Sequence, residues 1–191
     1  MGVADDYAVV AERFGAIAER YCAIVDASTQ MDKIGFLFKV YRILPELIGD
    51  AISLPDTDPW ERNVPDDPNE PDDMGQDLSK SPVNLDMRHE AWQVLYESLK
   101  EKLGDSNLYW EVFNPVTESE AIQASLADDI AGVYQDLKNG LALRKEEGAV
   151  LAEVIWEWRL LFYSHWGEHA TGALRTIHII LRNKMEDGDI A

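Results

Sequence analysis

Tyr7, Val10, Phe14, Ile17, Tyr21 and Ile24 recur at alternating steps of three and four, the spacing that aligns side chains along one helical face. A first helix is predicted from Asp5 to Ile24. Ala11, Gly15, Ala18 and Cys22 run beside that stripe as a row of small residues, and Glu12, Arg13, Glu19 and Arg20 take the wet side. Thr29 followed by Asp32 reads as a capping box, in which each side chain satisfies a free amide at a helix start. The second helix then carries Ile34, Leu37, Phe38, Tyr41 and Leu44, and Pro45 predicts a kink or restart before Leu47, Ile48, Ala51 and Ile52 resume the pattern.

Met87, Ala91, Val94, Leu95 and Leu99 mark a third helix, with Lys100 and Lys102 near its negative end and Gly104 as its C-terminal cap. The aromatic run Leu108 to Phe113, stopped by Pro115, has the look of one strand. Without a partner strand it reads as an extended connection laid across the helices. Thr117 to Glu120 forms a second capping box, and Ile122, Leu126, Ile130, Val133, Leu137 and Leu141 continue as the stripe of a fourth helix. A last helical region begins near Glu147. Its stripe of Leu151, Val154, Ile155, Trp158, Leu161 and Phe162 does not share a face with the later Ala170, Leu174, Ile177 and Leu181. Either that region is buried nearly all round or it bends near Gly167 or Gly172. The pattern predicts a single all-α domain over residues 1–191, a bundle of about five main helices.

One segment interrupts it. Residues 54–86 hold six of the eight prolines and ten acids against two bases, Arg62 and Lys80. So few apolar side chains cannot offset ordering entropy, so this stretch is expected to be a mobile, acidic, proline-rich loop with Trp60 and Val64 as its anchors. Over the whole chain 36 acids face 17 bases, a net charge of −19. Such a field repels phosphate backbones and anionic lipid, which argues against nucleic acid and membrane partners and for a basic protein partner. No run approaches the roughly 20 apolar residues of a membrane span, and the first residues lack a signal peptide's pattern. One cysteine, Cys22, excludes an intrachain disulfide and suits a reducing, cytoplasmic setting. Its place in the small-residue row makes it a packing residue rather than a reactive thiol.

His165-Trp166-Gly167-Glu168-His169 is the sharpest chemical constellation, because histidines four apart on a helix point the same way and can share one divalent metal. Two ligands do not complete a site. The remaining ones would come from Asp129, Asp136, Glu157, His89 or His178. The alternative is a structural pair of imidazoles satisfied by carboxylates. Asp129 and Asp136 lie seven residues apart on one flank of the fourth helix, with Arg159 or Arg175 as expected partners. Trp156, Trp158 and Trp166 cluster late in the chain and read as core more readily than as the lining of a ligand pocket. No phosphate loop, nucleophile elbow or His-Glu-x-x-His motif is present.

Several of these segments together resemble a family of bacterial proteins, the domain of unknown function 5063. They are Ala18 to Cys22, Ile43-Leu44-Pro45 with Leu54-Pro55, and Tyr109 to Phe113. The likeness continues through Leu126 to Ile130 with Val133 to Lys138, then Trp166-Gly167 and Ala173 to His178. The resemblance implies an all-helical fold and brings no catalytic residue or cofactor with it; the acidic insertion looks particular to this chain. More locally, His165, His169 and Gly172 are similar to the His-x-x-x-His pair and following glycine of DinB-like four-helix metal proteins. That likeness implies a third histidine from an earlier helix, and His89 is the upstream histidine available.

Two functions follow as expectations. The first is a cytosolic, non-enzymatic interaction or regulatory protein whose acidic surface engages a basic partner, with no cofactor. The second is a divalent-metal-dependent, hydrolase-like bundle with His165 and His169 as ligands, Asp129 or Glu157 completing the shell, and a metal-held water as nucleophile. The first stripe also suits helix pairing between subunits, so a homo-oligomer stays open.

Overall fold

Apolar periodicity becomes helix over most of the chain. The computed structural model describes residues 3–57 and 85–188, with side chains for 6–57 and 90–188. The elements are α1 (Val3–Asp26), α2 (Lys33–Ile52), α3 (Leu85–Leu103), β1 (Leu108–Glu111), β2 (Ile122–Ser125), α4 (Leu126–Lys145), α5 (Leu151–Leu161) and α6 (Gly167–Glu186). A π turn, Phe162–Trp166, joins α5 to α6 without a break, so the two form one long irregular helix and the described residues make five main helices. No described helix is long and apolar enough to cross a membrane.

The first helix turns its small residues inward. Ala11, Phe14, Ala18, Tyr21, Cys22 and Val25 are buried, while Tyr7, Val10, Ile17 and Ile24 pack at the rim. This rotation brings the α1 backbone close to its neighbours α2, α4 and α5. Cys22 is 2% exposed, and burial pushes its thiol up to about 12, which suppresses the reactive thiolate.

Around Phe14 an aromatic core assembles from α1 and the long last helix. The Phe14 ring lies 4.8 Å from Trp158 and 6.3 Å from Trp166, and Phe162 lies 4.7 Å from Trp166. Trp158 and Trp166 are fully buried, so these two late tryptophans are core. The Trp166 indole donates to the Trp158 carbonyl at 3.2 Å. The Trp158 indole N–H is buried without a partner and faces Gly140, where a Cβ would collide with the ring. Glycine at 140 is therefore a packing requirement.

Four local expectations need correction. Asp32 is itself the N-cap of α2, accepting from the Gly35 amide at 2.9 Å, and Thr29 lies in a short 3-10 turn before it. The second helix then runs through Pro45 without restarting, with that residue on its exposed side. The capping box at Thr117 starts no helix. The fourth helix is capped by Ser125, whose hydroxyl accepts from the Asp128 amide at 3.3 Å. Ile122 to Ser125 instead form the partner strand that the helical reading of this segment leaves out: Leu108 pairs with Ser125 and Glu111 with Ile122 in an antiparallel hairpin. Buried Asn107 fastens this hairpin to α4, its carbonyl accepting from Leu126 N and its side-chain oxygen from Ala127 N and Ser125 Oγ.

Where the acidic segment begins, Leu54 is buried and the Thr57 hydroxyl donates to the Ala152 carbonyl at 2.8 Å. Its first residues are thus docked rather than mobile. Residues 58–84, with the expected anchors Trp60 and Val64, lie outside the described residues.

Candidate functional site

On α4, Asp129, Gly132 and Asp136 follow one another at steps of three and four and face α6. The interior of α4 along this line is buried, leaving two carboxylates in need of partners. The long last helix supplies them. His169 Nδ1 lies 2.9 Å from Asp129 Oδ1, and His165 Nδ1 lies 2.7 Å from Asp136 Oδ2. The two imidazoles meet edge to face, with ring centres 4.8 Å apart. The histidines thus take the places expected of Arg159 and Arg175. Arg159 pairs instead with Asp56, at 3.1 Å.

Two glycines make this geometry attainable. Gly132 lets the His169 ring lie across α4, since a Cβ there would sit 3.1 Å from its Cδ2. Gly167 permits the π turn: its amide bonds to the Phe162 carbonyl five residues back, and a Cβ would collide with that oxygen. The irregularity expected near Gly167 is this turn, and His165 sits within it.

The hairpin adds residues that sequence reasoning missed. The Tyr109 hydroxyl donates to Asp129 Oδ2 at 2.8 Å and lies 3.3 Å from Glu111 Oε2, so Glu111, Tyr109, Asp129 and His169 form one chain of polar contacts from strand to helix. Gly172 on α6 leaves room for that hydroxyl, as a Cβ there would approach it to 2.9 Å. The signal for Tyr109 and Glu111 was their two-residue spacing, which puts both on one face of a strand.

Electrostatics follows from burial. The hydrogen bond to Asp129 holds the His169 imidazole above its ordinary 6.5, against the opposing effect of burial. Burial raises the Asp136 carboxyl and that of Glu111, and it pushes the Tyr109 phenol far up, reinforced by the Asp129 charge. Tyr109 is thereby kept as a proton donor.

Each imidazole commits Nδ1 to a carboxylate, and neither Nε2 is a buried atom without a partner. His165 is the more open of the two, with 51% of its side chain exposed against 24% for His169. Chemically the seam orients both imidazoles through their Nδ1 atoms, and Asp129 is shared between His169 and the Tyr109 hydroxyl. Among the described residues no group of three or more His, Cys, Asp or Glu is arranged to hold a metal ion, so half-buried Glu157 does not complete one with the histidines. His178 pairs with Tyr41 at 3.0 Å. The side chain of His89 lies outside the described residues.

A five-helix bundle with a hairpin clamped onto a His–Asp seam is the class of protein this geometry defines. The chain belongs to the family described as domain of unknown function (DUF5063), whose model matches residues 5–183. It is similar in fold to the crystal structure of protein BF1032 from Bacteroides fragilis, with a TM-score of 0.66 at 20% identity, covering 90% of this chain and 91% of that one. A search of curated proteins finds no match.

Proposed function

We propose that the protein is a non-enzymatic interaction protein whose acidic surface docks on a basic protein partner. The observation that carries this reading is the excess of 36 acids over 17 bases. A field of that sign steers a basic partner toward the surface and rejects acidic competitors. Large exposed apolar side chains support a docking role: Trp110, Phe113 and Val116 all project from the hairpin region. Binding driven this way weakens as salt shortens the Debye length from about 10 Å at 0.1 M to about 3 Å at 1 M. A basic protein captured by the full chain should lose most of its affinity over that range. Affinity that is indifferent to salt would remove the reading.

A divalent-metal-dependent hydrolase built on His165 and His169 is the second reading, favoured by one specific observation. Each Nδ1 is held by a buried or nearly buried carboxylate, the support that metal-ligating histidines receive. Asp129 and Asp136 then act as orienting partners rather than ligands. Elemental analysis of protein purified without added metal tests it: about one equivalent of zinc, nickel, iron or manganese, lost in His165→Ala, supports the centre. Metal-free protein with His165→Ala altered in stability alone would end it.

A further inference from the structure

Strand β1 hydrogen-bonds to β2 on one edge, and among the described residues its other edge has no strand beside it. A groove of about 440 Å³ runs there between β1 and α6, with Ile179 and Ile180 in its far wall. No residue of β2 lines it, which places it on the unpaired side of β1. An open strand edge presents unmet backbone N–H and C=O groups and is a template for one more strand.

The apolar side chains along this edge and the acids at its ends select the occupant. Leu108 and Trp110, two residues apart, stand on one face of β1 and are 56% and 67% exposed, so alternate apolar side chains of an added strand find contact there. Acids gather at both ends. Residues 101–125 hold five acids against one base, Lys102, which is committed to the Met31 carbonyl at 2.6 Å. Glu101 and Asp105 lie at the Leu108 end, and Glu118 and Glu120 lie in the connection that leaves Glu111 for Ile122. All four are exposed, and none makes an ion pair within 4.0 Å among the described residues. The cations beside the groove are already answered. Arg175 acts on Glu111, opposing the upward shift of that carboxyl, and Lys184 has a partner of its own. The charge left unmatched along this edge is therefore negative, in keeping with the net −19 of the whole chain.

We infer that the unpaired edge of β1 receives an extended segment of the basic protein partner, which adds as a third strand to the hairpin. Its alternate apolar side chains lie on Leu108 and Trp110. Lys or Arg residues at its ends meet Glu101 and Asp105 on one side, and Glu118 and Glu120 on the other. This docking mode rests on the basic-partner reading and adds to it a place, a backbone pairing and a side-chain pattern. Main-chain hydrogen bonds supply affinity whatever the sequence, and the acids at the two ends exclude acidic segments of otherwise similar pattern.

A random dodecapeptide library displayed on phage, panned against the full chain, tests this docking mode. The expected ligands alternate apolar residues and carry Lys or Arg at their ends. As free peptides they shift the backbone amide resonances of Leu108 to Glu111. Trp110→Ala weakens them by about tenfold or more. Asp105→Lys weakens them by about threefold at about 0.1 M salt, a loss that shrinks as salt rises to about 1 M. Because Trp110 and Asp105 are exposed, both variants should keep the helical circular dichroism of the parent. Equal binding by Trp110→Ala, amide shifts confined elsewhere, or no enrichment at all would each overturn the strand site, while the basic-partner reading would still stand or fall by its own salt series. Enrichment of acidic peptides would overturn both.

Discussion

Where α1 meets α5, the Phe14 ring lies 4.8 Å from that of Trp158; where α4 meets the π turn and α6, the facing groups are Asp136 and Asp129 against His165 and His169. Both contacts hold helices together, and they do so by different means. The aromatic layer gains from removing area from water, which is non-directional and indifferent to pH but sensitive to volume. The polar seam gains from a few oriented hydrogen bonds, which depend on single atoms and on protonation. Burial assembles this bundle, and the seam sets how α4 and the last helix lie against each other.

Four substitutions would break or sharpen that contrast. Trp158→Ala removes one of the two buried tryptophans of the aromatic layer and should cost about 3–5 kcal/mol, measured by urea unfolding and unchanged with pH. A loss below about 1 kcal/mol would mean the aromatic layer is not the centre of stability. Gly167→Ala drives a methyl group into the Phe162 carbonyl and must reshape the π turn. The expected cost is about 2 kcal/mol, accompanied by a shift in the His165 ring resonances. Unaltered stability and resonances would contradict the role given to that glycine.

Asp129→Asn should cost about 1.5 kcal/mol, since a hydrogen bond to a charged group becomes a neutral one. Because His169 is held above 6.5, its contribution is complete below that pH and is lost as the pH rises through its raised value. The gap between parent and variant should therefore be widest on the acidic side, above the range where Asp129 itself protonates, and close toward alkaline pH. A gap that is flat from one end to the other would show that the seam does not titrate as described. Arg20→Ala breaks an exposed ion pair with Glu46, 2.8 Å long, and should change stability by about 0.5 kcal/mol or less. A larger effect would place surface charge, not the two interior layers, among the main supports.

Legibility in the sequence tracked the length of each element. Long stripes such as Tyr7 to Ile24 announce helix because many positions repeat one period. The hairpin was hidden because each strand has four residues and Ile122 fits both the helical stripe and the strand. Thr117 and Glu120 spell a capping box as well as Ser125 caps a helix, and only the pairing of β1 with β2 decides between them. At the candidate site, His165, His169, Asp129 and Asp136 were all visible as residues, but Tyr109 was not singled out, because the spacing that puts it on one strand face with Glu111 does not say which face turns toward α4.

What the chain's own order of residues determines is its helical class, its aromatic core and its acidic charge, because each is a property of composition and local period. Which carboxylate meets which imidazole, where the π turn falls and how Tyr109 reaches Asp129 were decided only by the tertiary structure. Those pairings depend on how two helices and a hairpin, distant in sequence, come to lie together, and a local pattern carries no record of that distance.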